Sequence, residues 1–311
     1  MLPPQTPGSI GPIREIAPSF KCSSCGATFS LRGDFFDRGR IIVTVKCPSC
    51  GVEIEPWRFV REMFNDPFPS TLFAALGAKS QQFTTKLFLN SETRYDLYAE
   101  GLPKDAVILE VNYIPEGMFC AELGGALRRQ RPRGGFLQLW GHHTYTIADI
   151  GKSEGIVRLS VTWVQSSPED VAWRNLVDAF DAFADRDFED AIIPANVAVE
   201  AKLYPLIERE FSGVTSPDRL RSFLETGATY SHQLNVLLPL ITRYFNLPPI
   251  DATVQRYLNE LRKARNDVAH RGHAIPAITR ERAADFLTAA VLGFRYIDAL
   301  SLRRRQMSQS D

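Results

Sequence analysis

Two pairs of cysteines place the strongest constraint on how this chain can fold. Cys22 and Cys25 form one C-x-x-C-G motif, Cys47 and Cys50 form a second, and 21 residues separate the pairs. The glycine after each pair permits the positive φ that a tight turn needs, so both turns can direct their thiolates inward. Four sulfur ligands complete the tetrahedral shell of zinc. The sequence therefore predicts a zinc site at these four cysteines.

The spacing of the two pairs is typical of a zinc ribbon, which we expect over residues 19–55. A closed shell of four thiolates leaves no coordination position for a substrate, so we predict a structural zinc that takes no part in catalysis. The sequence leaves open whether the ribbon also binds nucleic acid, and a purely structural role is the simpler interpretation. Cysteines used in this way are typical of a reducing compartment, which favours the cytoplasm.

Composition sets limits on the remainder of the 311 residues. The hydrophobic fraction of 44% is ample for two or three cores. Lys plus Arg equals Asp plus Glu at 36 each, so any nucleic-acid binding must come from a local patch. No segment approaches the roughly 20 apolar residues of a membrane span, and we expect no membrane association. Residues 1–18 are rich in Pro and Gly and are predicted to form a disordered arm.

The middle of the chain has the pattern of a β domain. Residues 56–82 are interpreted as a linker, in which the apolar side chains from Trp57 to Phe64 can form a short helix against the ribbon. Residues 83–166 contain short alternating or apolar runs separated by turn signals, which predict an antiparallel sandwich or barrel able to bind an unidentified ligand or trigger. The predicted strands are Thr85–Leu89, Arg94–Ala99, Ala106–Tyr113, Met118–Leu123, Phe136–Thr146 and Ile156–Val164.

Residues 167–305 carry helical periodicity instead. Apolar side chains recur at intervals of three and four, broken by Gly213 and by Pro248 and Pro249, which predicts five or six antiparallel helices in a bundle, with residues 306–311 as a tail. The predicted fold class is thus α+β and multidomain, with a small zinc ribbon, an antiparallel β domain and a C-terminal helical bundle.

One stretch of the helical part carries groups suited to chemistry on a phosphodiester. Asn266 and His270 are four residues apart and share one helix face, with Arg262 a turn below and Arg265 at the flank. Gly272 should end this helix and so places His270 in its last turn. An imidazole that exchanges protons near neutral pH, beside a guanidinium, suits general acid or base catalysis.

Arg265-Asn266-Asp267-Val268-Ala269-His270 resembles the R-x(4–6)-H motif of the ribonuclease members of the HEPN superfamily, in a form with a polar residue after the arginine. The run from Asp187 to Ala201 is also similar to the early helix of such domains. The resemblance covers roughly residues 175–302, and the short motif is its specific part.

The resemblance implies a metal-independent endoribonuclease that acts as a homodimer, with two motifs facing each other across one RNA cleft. The ribose 2′-hydroxyl would attack the adjacent phosphorus and leave a 2′,3′-cyclic phosphate and a 5′-hydroxyl. Within this scheme His270 would be the base or acid, Arg265 would stabilise the phosphoryl oxygens, and Asn266 would orient phosphate or imidazole. Arg262 and Arg271 are predicted to bind flanking phosphates. The implied setting is phage defence or a toxin-type stress response.

Two alternatives are consistent with the same residues. In one, His270 caps a helix and Arg265 pairs with Asp267 or another carboxylate, so the motif is structural. The protein would then be a scaffold that binds a ligand or nucleic acid and uses its helical bundle for dimerisation. Arg262 and Arg271 can equally be solvated surface residues, and His273 is a weaker acid or base candidate than His270.

Overall fold

The computed structural model of the chain describes residues 8, 10–15, 19–30, 41, 45–65, 78–116, 119–122, 136–142, 153–165 and 171–308. It mixes helices with small antiparallel sheets and divides into two compact units. One unit comprises residues 1–17 and 76–169, and the other comprises residues 18–75 and 170–311. The cysteine-containing segment therefore belongs to the helical unit.

The first unit is built from two antiparallel sheets. Its strands are β1 (Arg14–Glu15), β6 (Lys79–Phe88), β7 (Glu92–Asp96), β8 (Ala106–Glu116), β9 (Phe119–Glu122), β10 (Phe136–His142) and β11 (Glu154–Gln165). One sheet has the order β1-β6-β11-β8 and the other the order β7-β10-β9. Buried residues of both sheets, including Phe83, Leu139 and Trp163, form one hydrophobic core. Each of the six segments predicted as strands overlaps one of these strands, although β6, β7, β8 and β11 extend beyond the predicted bounds.

Part of the N-terminal segment that was predicted as a disordered arm pairs with this unit. Arg14 pairs with Ser80 in β1, and the N–H of Gly11 donates to the carbonyl of Gln82 at 2.7 Å. An extended chain can satisfy an exposed sheet edge through backbone groups alone, without a side-chain pattern that sequence analysis can detect.

The second unit begins with two short hairpins and a helix. The hairpins pair β2 (Ser19–Lys21) with β3 (Thr28–Ser30), and β4 (Val45–Lys46) with β5 (Glu53–Ile54). Helix α1 (Pro56–Met63) follows, within the segment interpreted as a linker. Its buried side chains, Phe59, Val60 and Met63, explain why the segment folds.

The remaining helices form the larger part of this unit. They are α2 (Val171–Ala184), α3 (Ile192–Phe211), α4 (Pro217–Ser222), α5 (Tyr230–His232), α6 (Leu238–Tyr244), α7 (Ala252–Arg271) and α8 (Arg280–Ser308). Two π-helical turns, Phe223–Gly227 and Gln233–Leu237, interrupt the stretch predicted as simple helix. Helix α8 extends to Ser308 and so includes part of the predicted tail. Helix α3 packs against α2, α7 and α8. In the described part of the chain, every helix is too short or too polar to cross a bilayer.

Candidate functional site

The two cysteine pairs lie in turns of matching geometry. The N–H of Gly26 donates to the Cys22 carbonyl and that of Gly51 donates to the Cys47 carbonyl, both at 2.8 Å. The two glycines have φ values of 73° and 72°, in the left-handed region that favours glycine. Each turn closes a short hairpin, so both thiol pairs are held by local backbone structure.

The four thiols converge on one point. Cys22 Sγ lies 3.8 Å from Cys50 Sγ, Cys25 Sγ lies 3.7 Å from Cys47 Sγ, and all four sulfurs lie within 4.8 Å of one another. Zinc bound tetrahedrally at about 2.3 Å from each sulfur separates its ligands by about 3.8 Å. The donor set and its spacing therefore fit a metal ion such as zinc.

The environment of Cys47 favours the thiolate that a metal needs. Burial raises the pKa of the Cys47 thiol, but backbone N–H groups of Cys50 and Ser49 donate to it, and its net pKa is lowered to about 6. Such N–H donation is the usual way in which the turns of a thiolate site stabilise the ligand charge.

Helix α1 joins this cluster of four cysteines to the larger helices. The Arg58 guanidinium donates to the Ser23 hydroxyl in the first cysteine turn, and the Phe59 ring lies 5.5 Å from the Phe20 ring. At the end of α1, the Phe64 ring lies 5.3 Å from the Phe180 ring of α2. Aromatic contacts of this kind bury large apolar surfaces and fix the orientation of α1.

Polar and aromatic contacts join α1 to α7 and α8 as well. Arg61 Nε donates to Asp285 Oδ1 on α8 at 2.7 Å, and the Trp57 ring stacks on the Tyr257 ring of α7 with centroids 4.6 Å apart. Helix α1 thus packs the cysteine turns against α8 and against α7, the helix that carries the Arg–His motif.

Helix α7 supplies the Arg–His motif. Its N-terminus is capped by the Asp251 carboxylate, which accepts from the N–H groups of Thr253 and Val254. Its C-terminus is closed by Gly272, at φ 79°, whose N–H donates to the Val268 carbonyl. His270 therefore lies in the last turn, as predicted from the position of Gly272.

The three predicted catalytic residues differ in exposure. His270 is exposed, whereas Arg265 and Asn266 are half-buried. Arg265 Nη1 donates to Asn266 Oδ1 at 3.2 Å. At about 100° of rotation per residue, Asn266 and His270 lie about 40° apart around the helix, and Arg265 and His270 about 140° apart. The chain therefore presents Asn266 and His270 on one face of α7 and turns Arg265 towards α3.

Two polar residues of α3 lie on the side of the motif that Arg265 faces. Burial raises the pKa of the Glu200 carboxyl, and the charge of Arg265 lowers it by less, so the net pKa is raised. Asn196 is buried, and its Nδ2 donates to Glu200 Oε2 at 3.4 Å. The carboxylate near Arg265 is thus Glu200, while Asp267 pairs with Arg271 at 3.4 Å.

The two predicted phosphate-binding arginines lie in different environments. Arg271 is exposed, and Asp267 accompanies it as the i,i+4 partner. Arg262 is half-buried near Tyr230. Burial and the charge of Glu200 raise the pKa of the Tyr230 hydroxyl, the charge of Arg262 lowers it, and the net pKa is raised. The Nε atoms of Arg262 and Arg265 and the hydroxyl of Tyr230 are buried without a hydrogen-bond partner among the described residues.

Sequence analysis missed Asn196, Glu200 and Tyr230 as neighbours of the motif. A signal was present in α3, where Asn196 and Glu200 are four residues apart on a helix whose other inward positions are apolar. A polar residue at such a position is expected to have a buried polar partner. The sequence around Tyr230 contains no comparable signal.

Comparison of the chain with models of protein families, with curated proteins and with solved structures found no significant match.

Proposed function

We propose that this protein is an HEPN-like endoribonuclease that cleaves RNA without a catalytic metal. The observation that supports it best is the end of α7, where an exposed imidazole, His270, shares a face with Asn266 while Arg265 is held against Asn266. Imidazole exchanges protons readily between about pH 5 and pH 8, and a forked guanidinium matches the oxygens of a phosphate.

The proposed reaction needs only proton transfer and charge stabilisation. The ribose 2′-oxygen attacks phosphorus and loses its proton to one His270, acting as base. The bond to the 5′-oxygen breaks, and this oxygen takes a proton from an acid, which is His270 of a second copy in a symmetric dimer. Arg265 stabilises the charge on the non-bridging oxygens, Asn266 orients phosphate or imidazole, and Arg262 and Arg271 bind flanking phosphates.

A homodimer is part of the proposal, and an exposed apolar stripe in the same helical unit supports it. Val236, Leu240 and Tyr244 are spaced by four residues along the π-helical turn and α6, with 47%, 53% and 82% of their surface exposed. Exposed apolar faces with little charge are typical of subunit interfaces. Because a twofold interface is self-complementary, this stripe can pack against its own copy.

The zinc site supports the same domain in this proposal. Four thiolates hold zinc in a closed shell, and α1 transmits the rigidity of that site to α7 through Trp57 and Tyr257. The β domain would bind a ligand or trigger that controls cleavage, in a defence or stress setting.

End-group analysis of the products tests the proposal. Total RNA or tRNA is incubated with the protein in buffer containing EDTA, with zinc content and helicity measured in parallel. We expect fragments with 2′,3′-cyclic phosphate and 5′-hydroxyl ends, and a loss of about 10²–10³-fold in rate for Arg265→Ala. Intact RNA, or fragments with 5′-phosphate ends, would contradict the proposal.

A non-catalytic scaffold is the second candidate, favoured by the position of Arg265. Its guanidinium is half-buried, bonded to Asn266 and close to Glu200, which is also how a structural arginine behaves. In that case the α6 stripe still forms a dimer, RNA remains intact, and Arg265→Ala lowers the stability of the helical unit.

A further inference from the structure

A line of exposed cationic or titratable side chains runs along α7 from His270 towards the start of the helix. Arg256, Lys263 and His270 follow one another at intervals of seven residues, and all three are exposed. Seven residues are close to two helical turns, so the three side chains lie on one side of the helix over about 21 Å.

The acidic residues beside this line are already neutralised. Glu260 accepts a hydrogen bond from Arg282 of α8, and Asp267 pairs with Arg271. On the other flank lie two neutral carboxamides, Asn259 and Asn266. The line itself therefore keeps a positive charge, although the whole chain has a net charge of zero.

Arg256 and Lys263 have no carboxylate partner in the described parts of the chain. The Arg256 guanidinium lies over the Tyr257 ring, 4.8 Å from its centroid, in a cation–π contact that leaves its N–H groups free of a carboxylate. Lys263 is exposed, and the described ion pairs and hydrogen bonds do not include it. Both side chains can therefore bind phosphate without first breaking an ion pair.

We propose that a single strand of RNA binds along this line, with its phosphates on Arg256 and Lys263 and its scissile phosphate at His270. The inference rests on the proposed function and adds the substrate class and the direction in which the strand leaves the site. A single row of cations matches one sugar-phosphate backbone, whereas duplex RNA is bound across two grooves by a wider surface.

Binding to a fluorescein-labelled oligouridine of about 12 nucleotides tests the inference, measured by fluorescence anisotropy at several salt concentrations. All proteins carry His270→Ala, so that the RNA stays intact. Arg256→Glu with Lys263→Glu should weaken binding by more than about tenfold and lower the salt slope by about 1.4, since each phosphate contact on a single strand contributes about 0.7.

The matched control is Arg174→Glu with Arg219→Glu, which changes the net charge equally at two exposed positions of α2 and α4. This pair should change affinity less than about threefold if the α7 line is the binding site. Equal losses for the two pairs, or no loss for the α7 pair, would overturn the inference. So would equally tight binding of a perfect duplex.

The two proposals fail in different ways. If the wild-type protein cleaves RNA but the α7 pair binds like the control pair, the binding path is wrong and the proposed function stands. If the wild-type protein cleaves no RNA but affinity depends on Arg256 and Lys263, the binding path stands and the proposed function is wrong.

Discussion

Glu200 on α3 and Arg265 on α7 lie close enough for the arginine charge to act on the carboxyl, yet the net pKa of Glu200 is raised because burial outweighs that charge. The arginine of the motif is therefore half-buried beside α3, whereas the histidine at the helix end is exposed.

Glu200→Gln should change how stability depends on pH. A raised folded-state pKa means that the folded protein binds the proton more tightly than the unfolded chain. The carboxyl therefore stabilises the folded state at pH values below the usual pKa of Glu. That contribution is lost as the pH rises through the raised pKa of Glu200. Relative to the wild type, the free energy of unfolding of Glu200→Gln should increase as the pH rises above the usual range of Glu, measured by urea unfolding. Parallel curves for the two proteins would contradict the assignment.

Zinc should support the whole helical unit. We expect one zinc per chain, and Cys22→Ser should lose the metal and lower the unfolding temperature of the unit that contains α7. In a domain of this size each kcal/mol lost lowers Tm by about 2–4 °C. Metal analysis and calorimetry measure both effects, since α1 links the site to α7 and α8.

Ser49→Ala is the matched control for the zinc prediction, because Ser49 is exposed and lies between two ligand cysteines without supplying a thiol. It should keep both the zinc and the unfolding temperature. A wild-type protein free of zinc, or a cysteine variant that unfolds like the wild type, would show that the four thiols do not form a structural metal centre.

Leu240→Asp should dissociate the proposed dimer. The charge would lie at the centre of the exposed stripe formed by Val236, Leu240 and Tyr244, where it would be buried without a partner on association. Size-exclusion chromatography with light scattering should give a dimer for the wild type and a monomer for the variant. Val214→Asp is the control, since Val214 is 74% exposed and does not belong to the stripe. A wild-type monomer, or a Leu240→Asp dimer, would contradict the interface.

The features that sequence analysis predicted are those fixed by short-range structure. The cysteine turns depend on Gly26 and Gly51 within a few residues of their ligands, and the end of α7 depends on Gly272. The convergence of the four thiols and the position of His270 in the last turn follow from these local rules.

The missed features depend on residues that are distant in the sequence. β11 lies between β6 and β8, an order that strand spacing does not specify. Glu200 reaches Arg265 only because α3 packs against α7. Neither relationship leaves a periodic pattern in the chain, because tertiary packing alone brings the partners together.

Replacing one histidine at a time tests the central claim most directly. His270 and His273 are both exposed, three residues apart, on either side of the helix end, so His273→Ala is a matched control for His270→Ala. In single-turnover cleavage of RNA, His270→Ala should lower the rate by at least about 10²-fold and His273→Ala by less than about threefold. Equal rates for wild type and His270→Ala would contradict the claim that this imidazole carries out the proton transfer.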